Sequence, residues 1–176
     1  MKVISISGKA GSGKDTVSGM IHDELINSGY SVLIIHFADL LKYILKEYFG
    51  WDGVKNRRGR YLLQYIGTDV VRKADENFWA NFVVSFLKFF GMYWDYAIVP
   101  DARFPNEIEI LSANNRDFCS INVVNTTPHR ELTNAQMAHE SETALDNYKF
   151  DVTLSNDGTL DDLREKVKQI VSDYIM

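Results

Sequence analysis

The chain has 176 residues, of which 45% are hydrophobic, and its 19 basic and 24 acidic residues give a net charge of -5. This length predicts one domain with a sizeable core. The acidic balance argues against a duplex-DNA or RNA binder, because affinity for a nucleic-acid backbone comes from clustered Lys and Arg. The single cysteine, Cys119, excludes an internal disulfide and a cysteine metal cluster, which favours a reducing compartment.

Strand-like and helical patterns alternate along the chain. Short apolar runs predict strands over 3–7, 31–37, 96–100, 118–124 and 152–155. Apolar residues at helical spacing predict helices over 14–29, 38–49 and 78–91, another from Pro105, and a last one capped by Thr159. This alternation predicts an α/β fold with a five-stranded parallel sheet and helices on both faces.

Two polar segments interrupt this alternation. Residues 51–77 are less regular and include Arg57, Arg58, Arg60 and Arg72, while residues 126–148 have little sustained apolar period. We expect the second segment to be a mobile excursion from a single domain that covers residues 1–176.

Two apolar stretches resemble targeting or membrane segments only superficially. The N-terminal run MKVISIS is too short for a signal peptide and leads directly into glycines. Residues 78–94 fall short of the roughly 20 apolar residues of a membrane span and include Asn81, Ser85 and Lys88. We therefore expect no membrane partner and a cytoplasmic location. The aromatic residues of this stretch belong either to the core or to a homodimer interface.

The segment GKAGSGKDT follows the first strand and opens the first helix. It matches G-x-x-x-x-G-K, in which backbone N–H groups surround a phosphate and the lysine reaches the β and γ phosphates. Glycine is needed because a β-carbon would obstruct the tight turn or the ligand. This phosphate-binding loop (P-loop) provides the candidate nucleotide contacts Gly8, Lys9, Ala10, Gly11, Ser12, Gly13, Lys14, Asp15 and Thr16.

The residue after the P-loop lysine departs from the usual pattern. That position is usually Ser or Thr, whose hydroxyl binds magnesium, but here it is Asp15, followed by Thr16. Magnesium is expected because it neutralises charge on transferring phosphates. Either the Asp15 carboxylate serves the ion, through water, or Thr16 supplies the hydroxyl.

Three segments are expected at the carboxyl edge of the sheet, where ligands bind in such folds. They are the P-loop, Phe37–Asp39 and Asp101–Arg103. Asp101 ends an apolar strand, which suits a carboxylate that acts as a base or binds a metal, or else a simple turn residue. Arg103, two residues on, would face the same crevice and offer a planar fork to a second phosphoryl group.

These motifs, in this order, resemble the phage-type deoxynucleoside monophosphate kinases, a branch of the P-loop nucleoside monophosphate (NMP) kinase superfamily. The resemblance rests on GKAGSGKDT at 8–16, LLQYIGTDVVR at 62–72, FWANF at 78–82, YAIVPDARFPNE at 96–107, HESE at 139–142 and DVTLSNDGTLDDL at 151–163. HESE is similar to that family's H-x-[ST]-E. Together the segments span most of the chain, and the resemblance implies a location in the host cytoplasm if a phage encodes the chain.

The resemblance implies an enzyme that transfers the γ-phosphate of ATP, with Mg2+, to a (deoxy)nucleoside 5′-monophosphate. Lys14 would stabilise the transferring group, and Arg72 and Arg103 would hold the acceptor phosphate. The residues near the nucleoside would be Asp39, Thr68 and Asp69. An NMP-binding insertion would cover about 38–92, and a lid over about 126–148 would bring Arg130 to the phosphates on closure.

Some features depart from the family or leave alternatives. The segment between the second strand and the helix at 78 is compact, so base selectivity cannot be transferred. His139 is either a site residue or an ordinary surface or capping histidine. The alternatives are a P-loop kinase for another small acceptor, such as a phosphomevalonate-like or dephospho-coenzyme-A-like substrate, and a non-catalytic nucleotide-binding module.

Overall fold

The computed structural model describes residues 1–125 and 137–176, and its five strands form one parallel sheet in the order β2-β3-β1-β4-β5. The strands are β1 (Lys2–Ser7), β2 (Val32–Ile34), β3 (Tyr96–Ala102), β4 (Phe118–Val124) and β5 (Val152–Ser155). The predicted fold class, a five-stranded parallel α/β sheet with helices on both faces, is confirmed.

Helices connect the strands and cover both faces of the sheet. They are α1 (Lys14–Asn27), α2 (Ala38–Phe49), α3 (Arg57–Gln64), α4 (Phe78–Phe90), α5 (Pro105–Asn114), α6 (Glu140–Thr143) and α7 (Leu160–Ile170). Two π-helical segments, Tyr65–Arg72 and Val171–Ile175, continue α3 and α7. None of the helices within 1–125 and 137–176 is long and apolar enough to cross a membrane.

The core is divided by the sheet into two layers, because successive side chains of a strand point to opposite faces. Ile4 and Ile98 pack with α1 and α7 on one face, whereas Val3 and Val99 pack with α2, α4 and α5 on the other. The two layers hold the carboxyl ends of β1, β3 and β4 in fixed positions, and the segments that follow these strands form the candidate site.

The second strand is shorter and more exposed than the sequence predicts. The apolar run over 31–37 predicts a strand buried on both faces, but β2 covers only Val32–Ile34 and lies at the edge of the sheet. It pairs with β3 alone, and the side chain of Ile34 is 38% exposed. Apolar composition does not distinguish an edge strand from a central one, because strand order depends on long-range pairing.

The central part of the polar segment 51–77 is helical, over Arg57–Gln64 and Tyr65–Arg72. Asn56 begins α3 by accepting a hydrogen bond from the Gly59 amide (2.9 Å). The π-helical continuation packs on α4, where the buried Trp79 indole donates to the Gly67 carbonyl (2.9 Å). The polar composition gave no sign of these helical turns, because tertiary contacts override local helix propensity.

Candidate functional site at the carboxyl edge of the sheet

Two cavities open at the carboxyl edge of the sheet and share one wall. The first, about 450 Å³, lies between the P-loop, the end of β4 and residues 141–146, and is called the β4 cavity. The second, about 230 Å³, lies between the P-loop, α2, the π-helical segment and the end of β3, and is called the α2 cavity. Their shared wall is formed by Ala10, Arg103, Ser141 and Glu142.

The P-loop glycines are required by close packing. A β-carbon on Gly8 would lie 2.4 Å from the Ser12 hydroxyl and 2.6 Å from the Val123 carbonyl, closer than van der Waals contact allows. Gly13 has a φ of 94°, and its β-carbon would lie 2.2 Å from Nδ2 of Asn156. The Asn156 amide donates to the Ser12 carbonyl (2.9 Å) and so supports the loop from β5. The turn thus leaves a concave backbone surface in front of the α1 N-terminus, which suits an anion.

Lys14 is the first residue of α1 and lines the α2 cavity. Burial lowers the pKa of its ammonium group, and the positive charge of Arg103 lowers it further. The acidic groups of Asp15, Glu142 and Asp101 act in the opposite direction. A partly desolvated ammonium beside a second cation is stabilised by an anion, so this end of the cavity favours phosphate.

Asp101 lies at a bulge in β3. The pairing of β1 with β3 shifts between Ser5 and Ser7, which leaves an extra residue on β3 just before Ala102. The Asp101 carboxylate accepts hydrogen bonds from the amides of Phe37 (2.9 Å) and Ala38 (3.0 Å) at the start of α2. It therefore anchors this helix at the α2 cavity, and each oxygen keeps a further lone pair for another ligand.

Arg72 and Arg103 both line the α2 cavity. The Arg72 guanidinium lies 3.6 Å from the centre of the Phe104 ring and donates to the Glu76 carbonyl (2.8 Å) and to Asn106 Oδ1 (2.5 Å). The Arg103 guanidinium donates to the Ser141 carbonyl (3.1 Å) and pairs with the Glu142 carboxylate. Both fork-shaped cations are held in position before any ligand arrives, which reduces the entropy lost on binding an oxyanion.

A family model described as deoxynucleotide monophosphate kinase matches residues 55–167. The chain belongs to this family. The match includes the π-helical segment, Asp101, Arg103 and the HESE segment, so the family resemblance predicted from the sequence is confirmed. It begins after the P-loop, so the assignment to the family does not depend on the phosphate-binding motif.

Two phage proteins, both called deoxynucleotide monophosphate kinase, are similar to this chain. The one from Escherichia phage RB69 is 32% identical over 114 residues, which cover 64% of this chain and 44% of that protein. The one from Enterobacteria phage T4 is 31% identical over 111 residues, which cover 62% of this chain and 43% of that protein. The matched stretch thus spans less than half the length of these relatives.

A solved structure of the Mycobacterium tuberculosis APS kinase CysC, in complex with AMPPNP and APS, has a similar fold. It superimposes with a TM-score of 0.53 at 14% sequence identity, over 98% of each chain. At this identity the likeness supports the fold alone, and it agrees with the P-loop kinase type predicted from the sequence.

Three residues of this member of the deoxynucleotide monophosphate kinase family are predicted to contact the nucleoside, namely Asp39, Thr68 and Asp69. They do not all line the α2 cavity. Thr68 lines the α2 cavity, whereas Asp39 and Asp69 are not among its lining residues. Hydrogen bonds from His36 and Lys42 outweigh the effect of burial and hold the pKa of the Asp39 carboxyl well below its usual range. Asp39 therefore orients two residues that do line the cavity.

Asp69 and His139 connect the π-helical segment to α6. Asp69 is 3.4 Å from the Lys73 ammonium and 3.9 Å from Nε2 of His139. His139 itself caps α6, because its Nδ1 accepts a hydrogen bond from the Ser141 amide (3.2 Å). His139 thus caps α6, and its role as a site residue stays a prediction. Arg130, predicted to touch the phosphates, lies outside the described residues, as does the part of the predicted lid over 126–136.

Glu107 is a site residue that the sequence did not single out. Its buried carboxylate accepts hydrogen bonds from the amides of Arg103 (2.7 Å) and Phe104 (3.1 Å) and lies 3.9 Å from the Arg72 guanidinium. Burial raises the pKa of this carboxyl to about 7, and the negative charge of Asp101 adds to that effect, while the Arg103 amide and Arg72 oppose it. Glu107 thereby fixes the backbone from which Arg103 projects. A glutamate at the third position of a helix that begins with proline was the available signal.

The titration of Glu107 predicts a stability change with pH. Because its folded-state pKa of about 7 is above the ordinary value of 4.5, the folded protein binds the proton more tightly than the unfolded chain does. This contribution to stability is complete below the ordinary pKa and is lost as pH rises through about 7. The loss amounts to about 3 kcal/mol, and thermal unfolding from about pH 5 to about pH 8 should reveal it.

The Glu107→Gln variant tests this expectation, because glutamine has a similar shape and does not titrate. The fall in melting temperature with rising pH should be smaller in Glu107→Gln than in the native protein. Glu109→Gln, an exposed change on the same helix, should retain the native slope. Equal slopes in all three proteins would show that Glu107 is ionised throughout.

Proposed function

We propose that this chain transfers the γ-phosphoryl group of ATP to the 5′-phosphate of a deoxynucleoside monophosphate. The observation that supports this most strongly is the shared wall of the two cavities. A reaction between two bound nucleotides requires two pockets whose phosphate ends meet, with the reacting atoms held about 3 Å apart. Ala10 of the P-loop and Arg103 lie at that meeting point, beside Lys14.

The donor would lie with its phosphates on the P-loop residues Gly8–Thr16 and the rest of the nucleotide in the β4 cavity. Lys14 would then stabilise the charge that spreads over the transferring group. Phosphoryl transfer involves little covalent chemistry by the protein, so positioning and charge stabilisation carry most of the rate enhancement.

The acceptor would occupy the α2 cavity. Arg72 and Arg103 both line this cavity, and Arg103 also lies in the wall shared with Ala10 of the P-loop. Both suit the phosphate, since a guanidinium matches two phosphate oxygens. The apolar side chains of Phe37, Leu41 and Leu63 line the same cavity and suit the flat face of a base. Thr68 would contact the nucleoside directly. Asp39 and Asp69 would contribute indirectly, through the residues that they contact. Residues of about 38–92 would thus form the NMP-binding insertion, and about 126–148, with Arg130, the lid.

Magnesium is the cation expected to neutralise the donor phosphates. Mg2+ in kinases usually keeps several waters and takes one or two carboxylates besides the phosphates. Asp15 and Thr16 are both exposed at the start of α1, and Asp15 lines the α2 cavity. The ion would neutralise the charge on the phosphates, held by Asp15 or Thr16 and by a free lone pair of Asp101.

The choice between Asp15 and Thr16 is testable by titration with magnesium. Asp15→Asn should raise the magnesium concentration needed for half-maximal rate if the carboxylate serves the ion, and Thr16→Val should do so if the hydroxyl does. Asp23→Asn, an exposed change on the same helix, should leave the requirement unchanged. If neither site variant alters it, the ion is held by Asp101 and the phosphates alone, and the roles proposed for Asp15 and Thr16 are wrong.

An acceptor panel tests the function as a whole. ADP formation from ATP should be stimulated by at least one of the four common deoxynucleoside monophosphates. Phosphomevalonate and dephospho-coenzyme A should be inactive. Stimulation by one of these two, with no response to any deoxynucleotide, would make the chain a kinase for another small acceptor. No stimulation by any acceptor, with ATP bound, would make it a nucleotide-binding module.

A further inference from the structure

A carboxylate binds a backbone amide of the P-loop, the loop whose N–H groups surround phosphate in this motif. Oε2 of Glu142 accepts a hydrogen bond from the Ala10 amide (2.9 Å), and Oε1 pairs with the Arg103 guanidinium. The Glu142 side chain is only 7% exposed. A backbone amide of the P-loop and the cation opposite it are therefore joined by one internal anion, in the wall shared by the two cavities.

Several contacts hold Glu142 there. It lies in α6, whose first turn is capped by His139. The Ser141 carbonyl, in the same helix, accepts a hydrogen bond from the Arg103 guanidinium (3.1 Å). After the C-terminal end of α6, the carboxylate of Asp146 lies 2.9 Å from the ammonium group of Lys9 in the P-loop. The segment is thus attached on both sides of Glu142, which makes its position a feature of the fold rather than of one flexible side chain.

The chemistry of this site allows one anion but not two. A buried carboxylate is tolerated because Arg103 and the Ala10 amide compensate its charge. A phosphate oxygen at the same amide would lie beside that carboxylate, and like charges in a partly dry site repel strongly. Phosphate and Glu142 therefore compete for Ala10 and for Arg103.

We propose that Glu142 is an internal competitor of the phosphate at the P-loop, which must give up the Ala10 amide and Arg103 before a nucleotide phosphate can take them. The inference rests on the proposed function only in that the P-loop binds a nucleotide; it requires no acceptor. Displacement of Glu142 would also release the Arg103 guanidinium for the phosphate of the acceptor. Binding of ATP at the P-loop and binding of the acceptor would therefore be coupled through Glu142.

Binding of a non-hydrolysable ATP analogue to the full chain tests the proposal. Glu142→Gln keeps the shape of the side chain but removes the charge, and should tighten binding about tenfold, as expected when one competing charge-assisted hydrogen bond is weakened. Glu142→Ala removes both oxygens and should tighten binding at least as much. Glu140→Gln, an exposed acid two residues earlier in α6, should bind like the native protein. Titration calorimetry without acceptor measures all four affinities.

A gain in affinity separates competition from a structural role, because damage to the fold weakens binding and does not strengthen it. Melting temperatures identify any variant that fails to fold. If one Glu142 variant does not fold, the affinity of the other for the ATP analogue tests the proposal. Equal or weaker binding by the folded Glu142 variants would overturn the proposal, and weaker binding would make Glu142 a ligand of the nucleotide or its magnesium. If the acceptor panel failed but both variants bound the analogue more tightly, the proposed function would fall and this inference would stand.

Discussion

Replacing Lys14 with Ala is expected to lower the rate of phosphoryl transfer by several orders of magnitude. A single preorganised donor aimed at developing charge is worth about 10²–10³ in rate, and this lysine lies in a partly desolvated position within the P-loop, where burial lowers its pKa. Steady-state kinetics with ATP and the preferred acceptor measure the effect. The melting temperature without nucleotide should hardly change, since a buried ammonium beside Arg103 contributes little to stability.

Lys88→Ala provides the matched control for this change, because Lys88 is exposed on α4, away from both cavities. It should retain the native rate. Near-native turnover by a folded Lys14→Ala variant would remove the P-loop from the proposed mechanism.

Arg103→Ala is expected to reduce use of the monophosphate by roughly a hundredfold in kcat/KM. Hydrogen bonds to a charged group contribute about 1.5–3 kcal/mol, and about 1.4 kcal/mol corresponds to tenfold. Affinity for ATP, measured separately by titration, should change by a few-fold at most. Arg103→Lys should rescue poorly, because an ammonium lacks the planar fork.

The control for Arg103 is Arg116→Ala, an exposed arginine that lines neither cavity. It should bind and turn over both substrates normally. If Arg103→Ala instead lost ATP binding and kept normal use of the acceptor, Arg103 would belong to the donor site. The acceptor phosphate would then have to be held by Arg72.

Features encoded by a short stretch of sequence were predictable. The P-loop was visible because Gly8, Gly13 and Lys14 are close in the chain, and the strand before them and the helix after them fix the geometry of the loop. The C-terminal helix was also predicted correctly, since Thr159 and Asp162 form a reciprocal cap within four residues. In both cases, the responsible contacts are local.

Features that depend on distant contacts were missed. The link between Ala10 and Glu142 joins residues 132 positions apart, so spacing in the sequence gives no sign of it. The π-helical segment depends on Trp79, twelve residues beyond Gly67, and on contacts with α2. Nor does the sequence show that the Asp39 carboxylate accepts hydrogen bonds from the His36 amide and the Lys42 ammonium, two residues that line the α2 cavity.

The fate of the γ-phosphate tests the central claim most directly. ATP labelled in the γ-phosphate is incubated with the chain, magnesium and each deoxynucleoside monophosphate, and the products are separated by chromatography. The label should appear in a deoxynucleoside diphosphate, at a rate that matches ADP formation and that is lost in Lys14→Ala. Label that appears only in inorganic phosphate, at the same rate with and without acceptor, would contradict direct transfer between the two cavities.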